Sequence, residues 1–417
     1  MSIRDRFFIC VATAALAAVT LTRADDWPQW RGPLRDGVSR ETGLLKELPA
    51  GGPHLTWRAT GIGAGYSSVS VAKGKIFTIG DKEDASFAIA LDAGTGKQIW
   101  ATKVGKSGAP GWGGFAGPRS TPTVDNDLVF VVGQWGELVC LKADSGKEIW
   151  RKDFTSDFAA PRPEWGFAES PLVDGAAVVI TPGGPDGTVV ALNKQTGSLI
   201  WRTKDFTDRA HYSSLILAEI GGVKQYIQLT ADNVVGIAAK DGKLLWKAAR
   251  KGATAVIPTP IVHDNLVYVT SGYGIGCNLF KINREGNAFA AEEVYSNKLM
   301  QNHHGGVVRI GDYIYGHSDS KGWTCQEMAT GKALWQEKSK MGKGSIVAAD
   351  GKLWLRGEDG KGTVALIDAS TQGYKDHGTF NPPDRSDKNS WAHPVIANGK
   401  LYLRDQDVLL CYDVKAP

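Results

Sequence analysis

Four of the eight histidines, His211, His303, His304 and His393, stand on three short segments that each precede a β-rich run. Tyr66, Arg119, Glu169, Tyr212, Lys343 and Trp391 stand at comparable places before other such runs. Gathered in one funnel, they would offer imidazoles, two cations, one carboxylate, phenols and a flat indole. That mixture suits a planar, acidic or polyhydroxylated small molecule. A metal site is harder to build. If a strand has begun at His303, the adjacent His304 points to the opposite face, so either would need Glu169, His211 or His393 from elsewhere. Glu169 with loop carbonyls is the candidate calcium site. The competing reading is that these residues satisfy backbone groups at loop ends and stack between strands. The sequence contains no Gly-x-Ser-x-Gly or Ser-His-Asp pattern. The glycine-rich stretch 111–117 does not lie between a strand and a helix, which excludes a nucleotide cradle.

What could bring such scattered segments together is a repeat. ALDAGTGKQIW ends at Trp100, CLKADSGKEIW at Trp150, ALNKQTGSLIW at Trp201, GIAAKDGKLLW at Trp246 and CQEMATGKALW at Trp335. Gly96, Gly146, Gly197, Gly242 and Gly331 each precede their tryptophan by four residues. Weaker copies end at Tyr295 and Phe380, so successive endings lie 40 to 51 residues apart. The first unit reads as four strands, Val69–Ala72, Lys75–Ile79, Phe87–Asp92 and Gln98–Lys103, bounded by turn residues. In the turn before each tryptophan a short polar side chain folds back and glycine takes a positive φ.

Four-stranded units of this length predict a β-propeller. Seven full units are present, and the C-terminal segment supplies three strands more. The missing strand is predicted around Trp57, which sits in the tryptophan slot near the other end of the chain. The expected fold is all-β, an eight-bladed propeller closed by pairing an N-terminal strand with the C-terminal blade. Loops joining one blade's outer strand to the next blade's inner strand would then form the lip of the central channel. One lip column reads Tyr66, Arg119, Ala168, Tyr212, Ile257, His303, Lys343 and Trp391. The next reads Ser67, Ser120, Glu169, Ser213, Pro258, His304, Gly344 and Ala392, with His211, Trp112, Trp165 and His393 close by. Cys140, Cys325 and Cys411 share one repeat slot with Ala90 and Ala191, too far apart for disulfides. Cysteine there acts as a small apolar residue.

Composition sets the remaining bounds. The 417 residues include 51 glycines and 14 tryptophans, matching many tight turns and large packing surfaces. Arg4 and Arg6, the apolar stretch from Phe7 to Leu21 and Thr22-Arg23-Ala24 predict a signal peptide at 1–24. A lead-in segment at 25–53 and the propeller at 54–417 would follow, in an exported protein of periplasmic or extracellular location. No second long apolar run follows, so the mature chain is expected to have no membrane span. The formal charge of +4 comes without a long basic run, which disfavours nucleic acid as a partner.

These repeats resemble the quinoprotein-like, or PQQ-repeat, propellers over nearly the whole mature sequence. The lead-in, with Trp27, Trp30, Arg31, Gly32 and Trp57, is similar to the opening of quinoprotein alcohol dehydrogenases. The resemblance implies two kinds of function. Some members hold pyrroloquinoline quinone (PQQ) and calcium in the funnel and oxidise alcohols or sugars. Others, such as the propeller lipoprotein of outer-membrane assembly, bind envelope proteins without a cofactor. The sequence has no vicinal cysteine pair, no large insertions and no Cys-x-x-Cys-His for haem, unlike many of the dehydrogenases. It also lacks the lipid-anchored cysteine of the assembly protein. A small polar ligand in the funnel, an envelope-protein scaffold and a carbohydrate-active enzyme remain open alternatives.

Overall fold

Each repeat of about 45 residues folds as one antiparallel sheet, and eight such sheets close a ring. The computed structural model describes residues 26–111 and 113–417. The proposed signal peptide and Trp112 lie outside the described residues. In blade 1 the strands run Ser70–Ala72, Lys75–Lys82, Ala85–Asp92 and Gln98–Lys106, close to the predicted ones. Blades 2 to 7 occupy residues 123–153, 172–202, 216–249, 261–297, 307–337 and 344–380. Among the described residues the sole α-helix is the short Phe154–Phe158. The middle strands are apolar on both faces, as in the wholly buried Leu128–Val132, because each blade packs between two neighbours.

Blade 8 contains Val395–Ala397, Lys400–Asp405 and Val408–Asp413 from the C-terminus and Leu55–Ala59 from the N-terminal region. Trp57 pairs with Cys411, the register that pairs Trp100 with Ala90 and Trp150 with Cys140. The ring therefore has eight blades, closed as expected, with no open edge at the junction.

The spacing of glycine and tryptophan has a contact behind it. The indoles of four blades reach the turn of the next: Trp57 donates to Ala93 O, Trp100 to Ala143 O, Trp150 to Lys194 O and Trp335 to Ser370 O. The turn glycine lies against that ring. A Cβ on Gly96 would stand 2.6 Å from Trp57, and one on Gly146 2.6 Å from Trp100. Both glycines also have φ near +70°, which other residues resist. In blades 1 to 4 and 6 the turn glycine thus receives the ring of the blade before it, whereas Trp246 of blade 4 donates to Gln225 of its own blade.

The lead-in is not a separate layer. Trp27 bridges Val71 of blade 1, and Pro28 O accepts from Val124 N of blade 2. Arg35 donates to Ser170 O and Pro171 O at blade 3, Trp30 to Thr259 Oγ1 at blade 5, and Arg31 to Val307 O at blade 6. Val38–Ser39 then pairs in parallel with Gly344–Ala349 of blade 7. Contacts with the inner strands of six blades seat residues 26–39 in the central channel. All four described cysteines, Cys140, Cys277, Cys325 and Cys411, are buried and free.

Candidate functional site

The lip loops enclose a cavity of about 250 Å3 at one mouth of the ring. The backbone explains which side chains reach it. Where a loop enters an inner strand, successive residues alternate between the channel and the blade interface. Ala168 and Ser170 therefore face the cavity while Glu169 does not, and Tyr212 and Ser214 face it while Ser213 does not. Seven of the eight positions in the first lip column line the wall: Tyr66, Arg119, Ala168, Tyr212, Ile257, His303 and Trp391. The eighth, Lys343, stands behind His303, with Nζ 3.0 Å from His303 Nδ1. His304 and His393 also line the cavity.

Two candidate residues lie elsewhere, and each has a structural task. Glu169 accepts from Thr181 N–H and Thr181 Oγ1–H, at 2.5 and 2.9 Å. Burial pushes its carboxyl up to about 7, against the pull of Thr181 and of Arg35. It is a counter-charge to the lead-in and not a ligand on the cavity wall. His211 turns away to accept Val256 N–H at Nδ1, 2.9 Å away. The small hydroxyls are structural too. Ser170 Oγ accepts from Thr121 N, and Ser214 Oγ from Ser170 N, so they tie neighbouring blades together.

What remains is aromatic. Trp391 lies 4.8 Å from Tyr66 and 5.1 Å from Phe115 between ring centres, and Trp165 lies 5.9 Å from Tyr212. Trp30 from the lead-in joins the lining at 4.6 Å from His393. Over Tyr66 sits the Arg119 guanidinium, 5.3 Å from the ring centre. It donates to Gly117 O and Phe115 O, and no carboxylate among the described residues forms an ion pair with it. Burial holds the imidazoles neutral, lowering His303 to about 4 and His393 to about 3, with help from Lys343 and Arg31 respectively. Arg119 is thus a fixed positive charge on a wall of rings.

On the opposite wall Lys343 Nζ also lies 3.2 Å from Glu358 Oε1, and Glu358 Oε2 accepts from Trp391 Nε1 at 2.9 Å. His304 Nδ1 lies 3.4 Å from the same Oε2. The expected opposition of His303 and His304 fails although the strand starts at Val307, as far beyond the lip residue as in blades 3 and 4. What sets the loop before Val307 apart is Gly306, with φ +70°. In that loop both rings face the cavity, with centres 5.2 Å apart. Sequence reasoning missed Glu358, Tyr273 and Asp319, which follow the second strands of blades 7, 5 and 6. Those turns open on the same mouth, so a second column through them would have found all three.

This donor set does not suit calcium, which takes roughly 6–8 hard oxygen ligands. Glu169 is spent on Thr181, and Glu358, held by Lys343 and Trp391, stands beside imidazoles and not among hard oxygen donors. The flat walls and Arg119 do suit the planar, acidic quinone itself. No step that needs calcium follows from these residues.

The family model described as outer membrane protein assembly factor BamB matches residues 83–337. The assembly factor BamB of Burkholderia pseudomallei (strain K96243) is 26% identical over 391 residues, covering 89% of this chain and 91% of that protein. The crystal structure of BamB from Moraxella catarrhalis superposes with a TM-score of 0.57 at 15% identity, over 81% of this chain and 94% of that one. The quinohemoprotein alcohol dehydrogenase from Comamonas testosteroni gives 0.67 at 12% identity, over 94% and 81%. Likeness at such identities speaks for the fold alone. On the family match, together with the eight closed blades, the chain belongs to the BamB-like family of PQQ-repeat β-propellers.

Proposed function

We propose that the cavity binds a flat small molecule carrying an anionic group, with PQQ as one member of that class. The observation that carries this reading is Arg119, a half-buried guanidinium with no carboxylate partner among the described residues, set over Tyr66 on an aromatic wall. Rings stack on rings, and a carboxylate on the ligand would complete the fork that two carbonyls leave partly open. Neutral imidazoles at His303, His304 and His393 add donors and acceptors without competing for the anion. The test is quenching of tryptophan fluorescence in chelator-treated protein, titrated with PQQ, naphthalene carboxylates, uronic acids and neutral sugars. Saturable quenching by the aromatic acids, weak for uronic acids and absent for neutral sugars, supports the reading. Sugar binding alone would redirect it to a carbohydrate site.

A second reading is favoured by the family match: a scaffold for envelope proteins, working in the periplasm after export. Among the described residues no helix is long and apolar enough to cross a membrane. If no small molecule binds, cross-linking in the periplasm to outer-membrane assembly partners becomes the deciding measurement.

A further inference from the structure

We propose that His303, His304 and Glu358 form a binding site for one divalent transition-metal ion, with Lys343 holding the cation position until the metal arrives. The potential ligand atoms of the three residues all lie within 4.8 Å of one another. His304 Nδ1 and Glu358 Oε2 are 3.4 Å apart, close to the spacing of about 3.3 Å that two ligands show on one tetrahedral zinc. His304 carries the independent sign of a missing ligand. Its side chain is 7% exposed, it faces the cavity, and neither ring nitrogen has a hydrogen-bond partner. Buried polar atoms are rarely left so.

His303 is already arranged as a ligand. Its Nδ1 accepts from the Lys343 ammonium at 3.0 Å, so the lone pair on that atom points at a positive charge. Tyr273 Oη, 2.8 Å from Nε2, takes the ring's other proton and fixes the tautomer, the usual outer-shell support of a metal-bound imidazole. Lys343 sits between this nitrogen and Glu358 Oε1, where a metal ion would sit. It has somewhere to go, since Asp319 Oδ1 lies 3.9 Å from its Nζ. Metal entry would move the intact ammonium toward Asp319 and break no covalent bond. Two imidazoles and one carboxylate form a borderline set that selects zinc-like or ferrous ions over calcium or magnesium. The remaining coordination position would open on the cavity, where the organic ligand is proposed to lie. Metal binding itself does not depend on that ligand.

The experiment uses the mature chain, purified without a histidine tag and stripped with chelator, with no organic ligand present. Zn2+ is titrated by calorimetry, and Co2+ by visible absorption. Wild type is expected to bind one ion, with a tetrahedral or five-coordinate cobalt band. His304→Ala and Glu358→Gln should weaken binding at least tenfold. Lys343→Ala should tighten it, by roughly tenfold, because a competing positive charge leaves the site. That gain cannot arise from misfolding. Binding that ignores all three substitutions, or that is absent from wild type even if Lys343→Ala gains it, would overturn the proposal. Aromatic-acid quenching in chelator-treated protein is a separate readout, so either result can fail alone.

Discussion

The outer girdle and the inner lip of this ring repeat with the same period, yet they use it in opposite ways. At the girdle one contact recurs: an indole or phenol lies on the turn of the following blade, and a glycine with no side chain receives it. At the lip one backbone position carries Tyr66, Arg119, Ala168, Tyr212, Ile257, His303, Lys343 and Trp391 in turn. A ring that must close needs identical interfaces. A cavity that recognises an asymmetric ligand needs unlike walls. Repetition therefore marks the fold, and broken repetition at a repeated position marks the candidate site.

The largest effect should come from breaking closure. Removing residues 26–59 strips the outer strand from blade 8, takes Trp57 from Gly96 and empties the channel of Arg31 and Arg35. Cooperative unfolding should be lost or its midpoint should fall steeply. Trp57→Ala alone should cost about 3–5 kcal/mol. A deletion variant that melts like wild type would mean that the girdle does not hold the ring.

Next comes the girdle glycine. Gly96→Ala forces a side chain into φ +71° and places Cβ 2.6 Å from the Trp57 ring. Together the strain and the clash should cost about 2–4 kcal/mol in denaturant unfolding. Gly94→Ala, two residues away in the same turn, meets only Asp92 Oδ1 at 3.4 Å and should cost under about 1 kcal/mol. Equal costs would sink the assigned role of the turn glycine.

At the lip the effect should move from stability to binding. Arg119→Met keeps the apolar stem and removes the charge over Tyr66. Affinity for aromatic carboxylates should fall by about 10- to 150-fold, the value of a charged contact of about 1.5–3 kcal/mol. Affinity for the matching uncharged aromatic amides should hardly change. An equal loss for both would show that Arg119 only shapes the loop through Phe115 O and Gly117 O.

The sequence disclosed the girdle almost completely, because Gly96 and Trp100 recur in register. It also disclosed the first lip column, because a period of two inside a longer repeat puts equivalent residues on one wall. Glu169 was misplaced by that same period: one step along the strand is the other face. His304 escaped it because its loop carries Gly305 and Gly306, the latter at φ +70°, where blades 3 and 4 carry Ser-Pro and Ser-Leu. Trp30 could not be placed because the lead-in belongs to no repeat and reaches the cavity through contacts with six blades. Glu358 was missed because it leaves a second strand, not a lip loop, and only the assembled ring sets it beside His304.

The smallest effect should fall where the girdle repeat lets one residue replace another. Cys325 pairs with Tyr315 on one side and Trp335 on the other, as Ala90 does with Phe77 and Trp100. Blade 1 thus already carries alanine in this slot, and Cys325→Ala should cost about 1 kcal/mol or less. Cys325→Ser should cost more, since a hydroxyl is costlier to bury than a thiol and Tyr315, which meets the thiol, offsets only part of that cost. Burial pushes the thiols up, to about 11 at Cys325 and about 12 at Cys140 and Cys411, so they stay protonated and inert at pH 8. A disulfide-exchange dye should therefore find none of these three in native protein. After denaturation without reductant it should find all four described cysteines. A bridged pair, or a loss above about 2 kcal/mol for Cys325→Ala, would show that the blades are not interchangeable at this slot. The contrast between girdle and lip would then be one of degree.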